Sequence, residues 1–255
     1  MLVNKMEGTL IIDVDDVIVY TTPCWFKRIM DNFEEFDYYL NDDMIPNFPE
    51  NYNYYNKENF MYPYTRTTYM FNDWLLRKDL SKEDFEEGSK MLMDLHCNND
   101  FYLDFDLKFT QLADALKTLV RFSAYKFTKI VFVTRVPDAT NKNLKEQKIK
   151  MLKDYFSDIL KNIEIIIVDK TEKKSDVVKE YKNISAIYDD ELFNIYDYID
   201  NLNNIEGCTF MIPFTNYNMN FSTDYLKKAH DKNAIVKYYK YNDWLILILK
   251  SLKAL

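Results

Sequence analysis

The sequence predicts an α/β fold: a parallel β-sheet flanked by helices, with a mainly helical cap inserted after the first strand. Two observations predict the sheet. Five short apolar runs, Thr9 to Ile12, Lys129 to Thr134, Ile163 to Val168, Ile184 to Tyr188 and Cys208 to Ile212, alternate with helical patterns in the rhythm of βαβ units. The runs are apolar at successive positions, as in strands covered on both faces. A third observation predicts the insertion: about a hundred residues after the first run contain no comparable strand.

The first run, Thr9-Leu10-Ile11-Ile12, leads straight into Asp13-Val14-Asp15-Asp16, followed by Val17-Ile18-Val19. In open α/β sheets ligands bind beyond the carboxyl ends of the strands. Asp13 and Asp15 would emerge at that rim, close enough to share a hard cation. Acids are also common at strand ends because they form turns, and both readings stand at this point.

Beyond Val19, Trp25, Phe26, Ile29, Met30 and Phe33 fall at helical spacing. Asn51 to Met70 is crowded with tyrosine and broken by Pro63, which predicts irregular chain packed by its own aromatics. Phe71 to Leu80 and Glu83 to His96 read as helices, the second opened by Ser81 with Asp84 three residues on. Residues 20–105 are therefore expected to form the helical, aromatic-rich cap, and 1–19 with 106–255 the core. In the core, helices are expected over Lys108 to Phe122, Asn141 to Phe156 and Glu191 to Leu202. A short helix, capped by Ser175, should run to Tyr181.

Composition bounds the function. The chain has 255 residues, 47% of them hydrophobic and 29% charged, enough apolar material for a sizeable core. Three Gly against 21 Tyr suggests an AT-rich genome, viral or phage origin being one source of such a bias. A net charge of -8 argues against an extended nucleic-acid partner, which needs a basic footprint. Cys24, Cys97 and Cys208 have no zinc spacing and read as reduced thiols of a cytoplasmic protein, host cytoplasm if viral. Met1 to Glu7 is polar and short, unlike a signal peptide, and Trp244 to Leu249 is too short to cross a membrane.

Read in order, the strand tips give Asp13-Val14-Asp15, Thr134, Lys174 and Asp189-Asp190. This series resembles the four motifs of the haloacid dehalogenase (HAD) superfamily, in form and in order. The resemblance covers the core, about 150 residues by the spacing of those motifs. It implies a Rossmann-like sheet of strand order 5-4-1-2-3, which brings Asp13, Thr134 and Asp189 to one rim. Asp16 stands where the family usually has glycine, so the turn must accept a side chain that Asp tolerates better than most.

The resemblance also implies the chemistry. Asp13 would be the nucleophile, forming an aspartyl-phosphate, and Asp15 the general acid and base. Mg²⁺ would be held by the side chains of Asp13 and Asp189 and the backbone carbonyl of Asp15. Thr134 and Lys174 would bind the phosphoryl group, with Asp190 in the outer shell. Lys170 and Lys173 are alternatives to Lys174, and Arg135 contacts either substrate or a surface acid. The cap aromatics Tyr52, Tyr54, Tyr55, Phe60, Tyr62 and Tyr64 either stack a nucleobase or fill the cap core, and Arg66 is equally ambiguous. His96 and His230 have no partners at metal or triad spacing and read as structural.

The opening motif, Phe101-Tyr102-Leu103 and the segment from Pro213 to Trp244 are similar to the 5'(3')-deoxyribonucleotidase branch. The expected activity is accordingly a Mg²⁺-dependent phosphatase acting on a small phosphorylated substrate, a nucleoside monophosphate. Alternatives are a polynucleotide end phosphatase and a non-catalytic HAD-like binding protein. A receiver-type signalling domain is disfavoured by the insertion and the late Asp189-Asp190 pair.

Overall fold

A computed structural model describes residues 8–41, 75–97, 100–104, 107–121, 129–136, 142–169, 171–213, 218 and 220–239. Asn51 to Met70 with its aromatics and Arg66, Lys170, and the Trp244 segment lie outside the described residues. The sheet has six strands, all parallel: β1 (Thr9–Ile12), β2 (Lys129–Arg135), β3 (Ile163–Val168), β4 (Ile184–Tyr188), β5 (Thr209–Pro213) and β6 (Ile235–Tyr239). Their order is β3-β2-β1-β4-β5-β6. The expected 5-4-1-2-3 order is present, extended by one strand. Ile235 to Tyr239 pairs outside β5; its β-branched and aromatic residues suit a strand, but the five runs that predict the sheet do not include it.

Both faces of the sheet are covered, as successive apolar positions require. Leu10, Ile12, Ile130, Phe132, Ala186 and Tyr188 pack into one hydrophobic cluster. Ile11, Val131, Val133, Ile187, Phe210 and Ile212 pack into another. This alternation is the period of two, with each face buried under its own layer. Gly8 leads into β1 where a Cβ would stand 1.9 Å from Ser185 Oγ, so a larger residue enters only if the Ser185 side chain gives way.

The helices are α1 (Thr21–Asp31), α2 (Phe33–Phe36), α3 (Lys82–Cys97), α4 (Gln111–Arg121), α5 (Lys142–Tyr155), α6 (Lys174–Val178), α7 (Leu192–Asn201) and α8 (Thr223–Asp231). Short 3₁₀ helices cover Phe101–Leu103 and Ser157–Asn162. The described chain between β1 and β2 is mainly helical. Ser81 Oγ accepts the Asp84 N–H at 3.1 Å and donates to Asp84 Oδ2 at 2.7 Å, the reciprocal start that the sequence predicted for α3.

Two local expectations fail. Residues 76–80 do not continue a helix: Leu76 forms an antiparallel bridge with Leu40, and the Arg77 N–H donates to the Tyr39 carbonyl at 2.9 Å. Tertiary pairing overrides the helical spacing there. Ser175 does not cap α6 but lies inside it, its Oγ buried without a hydrogen-bond partner, while Lys173 holds the extended N-cap position.

The chain leaves and re-enters the core side by side. The Tyr20 N–H donates to Lys108 O and the Thr110 N–H to Ile18 O, while Thr110 Oγ1 donates to Val17 O. This neck fixes the loop that follows β1.

Candidate active site

The register of the sheet assembles the site. Ile12 pairs with Tyr188 on one side and Phe132 on the other. Asp13 and Asp189 are each one residue further on, at neighbouring strand ends. The Asp13 N–H still donates to Tyr188 O at 2.8 Å, so the ladder holds Asp13 in place after the strand ends. Thr134, near the end of β2, is fully buried.

After Asp13 the backbone turns sharply. The Val14 carbonyl accepts the N–H groups of Val17, Ile18 and Val19. The turn is closed by Asp16 at φ 53°, the left-handed conformation that an aspartate tolerates. Asp16 Oδ1 accepts the Thr22 N–H at 2.9 Å and its Oδ2 the Thr22 hydroxyl, which ties the turn to the first residues of α1. The departure from glycine is thus compensated by a capping interaction.

Lys174 reaches the rim from the first position of α6. Its Nζ lies 2.8 Å from Asp13 Oδ1 and 2.9 Å from Asp189 Oδ2, with 2% of its side chain exposed. Burial alone would lower its pKa, but the Asp13 and Asp189 carboxylates outweigh it and hold the ammonium above its ordinary range. Lys173 points elsewhere: its side chain is 62% exposed and pairs with Asp197 at 3.4 Å. Lys170 lies outside the described residues.

Asp189 is fully buried. Its Oδ1 accepts the Glu191 N–H and Asn194 Nδ2, each at 3.0 Å. Burial raises its pKa, with Asp13 adding repulsion, against the pull of Lys174. Carboxylate oxygens of Asp13, Asp189 and Asp190 lie within 4.8 Å of one another, all three residues buried. That all-oxygen donor set suits a hard divalent cation. Asp190, expected further out, is part of this cluster, while its backbone carbonyl accepts Asn218 Nδ2 at 3.2 Å.

The Asp15 side chain departs from the cluster. Its Oδ2 accepts Lys148 Nζ at 2.5 Å and its Oδ1 the Tyr102 hydroxyl at 3.3 Å. Lys148 also donates to Thr134 Oγ1 and the Arg135 carbonyl, both at 2.6 Å. Burial raises the Asp15 pKa, with help from Asp13 and Asp16, although Lys148 opposes it. Burial likewise lowers the Lys148 pKa against the pull of Asp15 and Asp13. An acid raised in this way is suited to donating a proton and then taking one back.

Arg135 sits beside the site with its guanidinium engaged. It donates to Asn194 Oδ1 at 3.1 Å and to the Glu172 carbonyl at 3.0 Å, and lies 5.6 Å from the centre of the exposed Phe193 ring. His96 packs among Trp25, Phe101 and Tyr102, and burial pushes its pKa down to about 3.

Sequence reasoning missed Lys148, Tyr102 and Asn194. A signal for Lys148 exists: Leu144, Gln147, Lys148, Met151 and Leu152 make the buried stripe of α5, and a lysine within such a stripe needs a partner. Tyr102 lies in the Phe101-Tyr102-Leu103 segment noted for its resemblance, which assigned it no role, and Asn194 carries no comparable pattern.

No protein-family model and no curated protein matches the chain. Solved structures do. A haloacid dehalogenase-like hydrolase from Streptococcus pneumoniae is 13% identical with a TM-score of 0.47, over 95% of this chain and 99% of that one. A HAD hydrolase of family IA from Entamoeba histolytica is 14% identical with a TM-score of 0.46, over 96% and 99%. A HAD family hydrolase from Deinococcus radiodurans, solved with phosphate and sodium, is 9% identical with a TM-score of 0.44, over 97% of each chain. Identities and scores this low leave the chemistry to be argued from the residues themselves.

Proposed function

We propose that the chain is a Mg²⁺-dependent phosphomonoester hydrolase of the HAD type, acting through an aspartyl-phosphate on Asp13. One observation carries the reading: Asp13 and Asp189, 176 positions apart, share the buried ammonium of Lys174 beside Asp190. Burying that many acids together is costly unless positive charge offsets them, and Lys174 brings such charge to Asp13 and Asp189.

The side chains of Asp13 and Asp189 and the backbone carbonyl of Asp15 would hold Mg²⁺, with Asp190 beside them. When bound, it supplies the positive charge that lets an anionic nucleophile meet an anionic ester. The remaining work falls to the chain. An Asp13 oxygen attacks phosphorus, the bond from phosphorus to the ester oxygen breaks, and Asp15 passes its proton to the departing alkoxide. Asp15 then removes a proton from water as that water attacks the phosphorus of the acyl phosphate. Inorganic phosphate leaves and both acids return to their starting states. Lys174 and the Thr134 hydroxyl bind the phosphoryl oxygens, and Arg135 lines the approach.

The substrate class is a nucleoside monophosphate, and residues 20–105 form the cap that selects it. Likeness of the opening motif and of Phe101-Tyr102-Leu103 to deoxyribonucleotidases supports this, and the net charge of -8 disfavours an extended nucleic acid. A panel of phosphate monoesters with and without Mg²⁺ tests it. The panel includes deoxyribonucleoside and ribonucleoside monophosphates, sugar phosphates, an aryl phosphate and a 3'-phosphorylated oligonucleotide. Turnover of mononucleotides above the other esters, dependent on Mg²⁺, is expected. Preference for the oligonucleotide would favour an end phosphatase, and no turnover of any ester would leave a binding protein.

A further inference from the structure

We infer that Lys148 is a positioning residue that sets both the aim of Asp15 and the direction in which the Thr134 hydroxyl donates. The inference rests on the hydrolase reading above and deepens it. Lys148 lies on α5, outside the strand tips, with its side chain fully buried. Its ammonium has three hydrogens and three acceptors: Asp15 Oδ2 at 2.5 Å, Thr134 Oγ1 at 2.6 Å and Arg135 O at 2.6 Å. All its donors are used within the protein, so its part is to hold the residues that meet the ester.

Each contact has a chemical consequence. A hydroxyl that accepts from an ammonium has its own proton left to give. Among the described residues, the Thr134 hydroxyl donates only to the Arg135 carbonyl, at a long 3.4 Å. Its proton is therefore available to a phosphoryl oxygen. Asp15 is held from both sides, by Lys148 on Oδ2 and by the Tyr102 hydroxyl on Oδ1 at 3.3 Å. Lys148 Nζ also lies 4.8 Å from the centre of the Tyr102 ring, so lysine and tyrosine support each other behind the acid. This keeps the Asp15 carboxylate away from the Asp13, Asp189 and Asp190 cluster and free for proton transfer to the ester oxygen.

Leaving-group dependence separates this role from a purely structural one. Protonation of the departing oxygen matters greatly for phenyl phosphate and little for p-nitrophenyl phosphate, whose anion leaves unaided. K148M and K148Q are compared with wild type by kcat/KM on both esters, with thermal melts to confirm folding, and D13N as a control. The expected result is a loss on phenyl phosphate roughly tenfold or more beyond the loss on p-nitrophenyl phosphate, as a misaimed general acid requires. K148R, which keeps the charge, should recover part of the phenyl phosphate activity. K148Q keeps a donor for Thr134 and serves if K148M does not fold. Equal losses on the two esters, or no loss, overturn the positioning role while an inactive D13N leaves the nucleophile in place. A fully active D13N overturns the nucleophile, and the positioning role with it.

Discussion

Lys174 Nζ stands 2.8 Å from Asp13 Oδ1 with almost none of its side chain exposed. The same nitrogen is 2.9 Å from Asp189 Oδ2, so one ammonium joins the ends of β1 and β4. Removing it leaves two buried acids facing each other. Lys174→Met is expected to abolish phosphatase activity and to cost about 3–5 kcal/mol of stability without Mg²⁺, the usual penalty for breaking a buried pair. Lys173→Met, on an exposed side chain, should cost less than about 1 kcal/mol and leave turnover intact. Urea unfolding and a phosphate-release assay check both; the reverse ranking would transfer the role to Lys173.

Asp189 ties the acidic cluster to the starts of α6 and α7 through Lys174, Asn194 and the Glu191 N–H. Asp189→Asn keeps the shape and removes the charge. It should raise the Mg²⁺ concentration needed for half-maximal activity by at least tenfold, a loss of about 1.4 kcal/mol in binding. A metal titration followed by phosphate release reads this, and an unchanged midpoint would take Asp189 out of the coordination sphere.

Asp16 holds a left-handed turn and caps the start of α1 together. Asp16→Ala loses the cap, worth about 1–2 kcal/mol, and adds roughly 1 kcal/mol of backbone strain. Asp16→Gly loses the cap but relieves the strain, so it should be the less destabilised of the two in urea unfolding. Equal stabilities would mean that the turn carries no conformational cost.

His96 gives a pH dependence with a definite sign. Its ordinary pKa of 6.5 is depressed to about 3 by burial, with Lys148 and Arg28 adding repulsion. Between those values the unfolded chain binds a proton that the folded chain refuses. The stabilisation is fully present above about pH 6.5 and is lost as pH falls toward 3, by up to about 1.4 kcal/mol per unit. In His96→Phe that part of the acid loss should vanish, and urea midpoints from pH 7 down to pH 4 measure it. An unaltered slope would show that His96 is already protonated when folded.

How much of this could be read from the sequence depends on how local the cause is. The strands and the acids at their tips were legible, because apolar runs covered on both faces and acids at strand ends are properties of adjacent residues. Lys174 was legible only through its resemblance to the family's lysine-then-helix form, and Asp16 from the conformational tolerance of aspartate. The sixth strand was legible only in composition, since Ile235–Tyr239 is rich in strand formers but owes its place to the edge that β5 offers. Leu76 was misread because its bridge to Leu40 is a long-range event. Lys148 was visible only as an oddity, a cation on the apolar stripe of α5, and its partners Asp15 and Thr134 come from two other strand ends. Such a constellation exists only once the sheet has fixed its register.

Trapping the covalent intermediate tests the assignment of Asp13 most directly. Wild-type protein mixed with a rapidly turned-over phosphate ester and Mg²⁺, quenched in acid and digested, should yield the Asp13 peptide heavier by one phosphoryl group. Fragmentation should place the group on Asp13, and D13N should show none. A phosphoryl group on another residue, or one retained in D13N, would contradict the account.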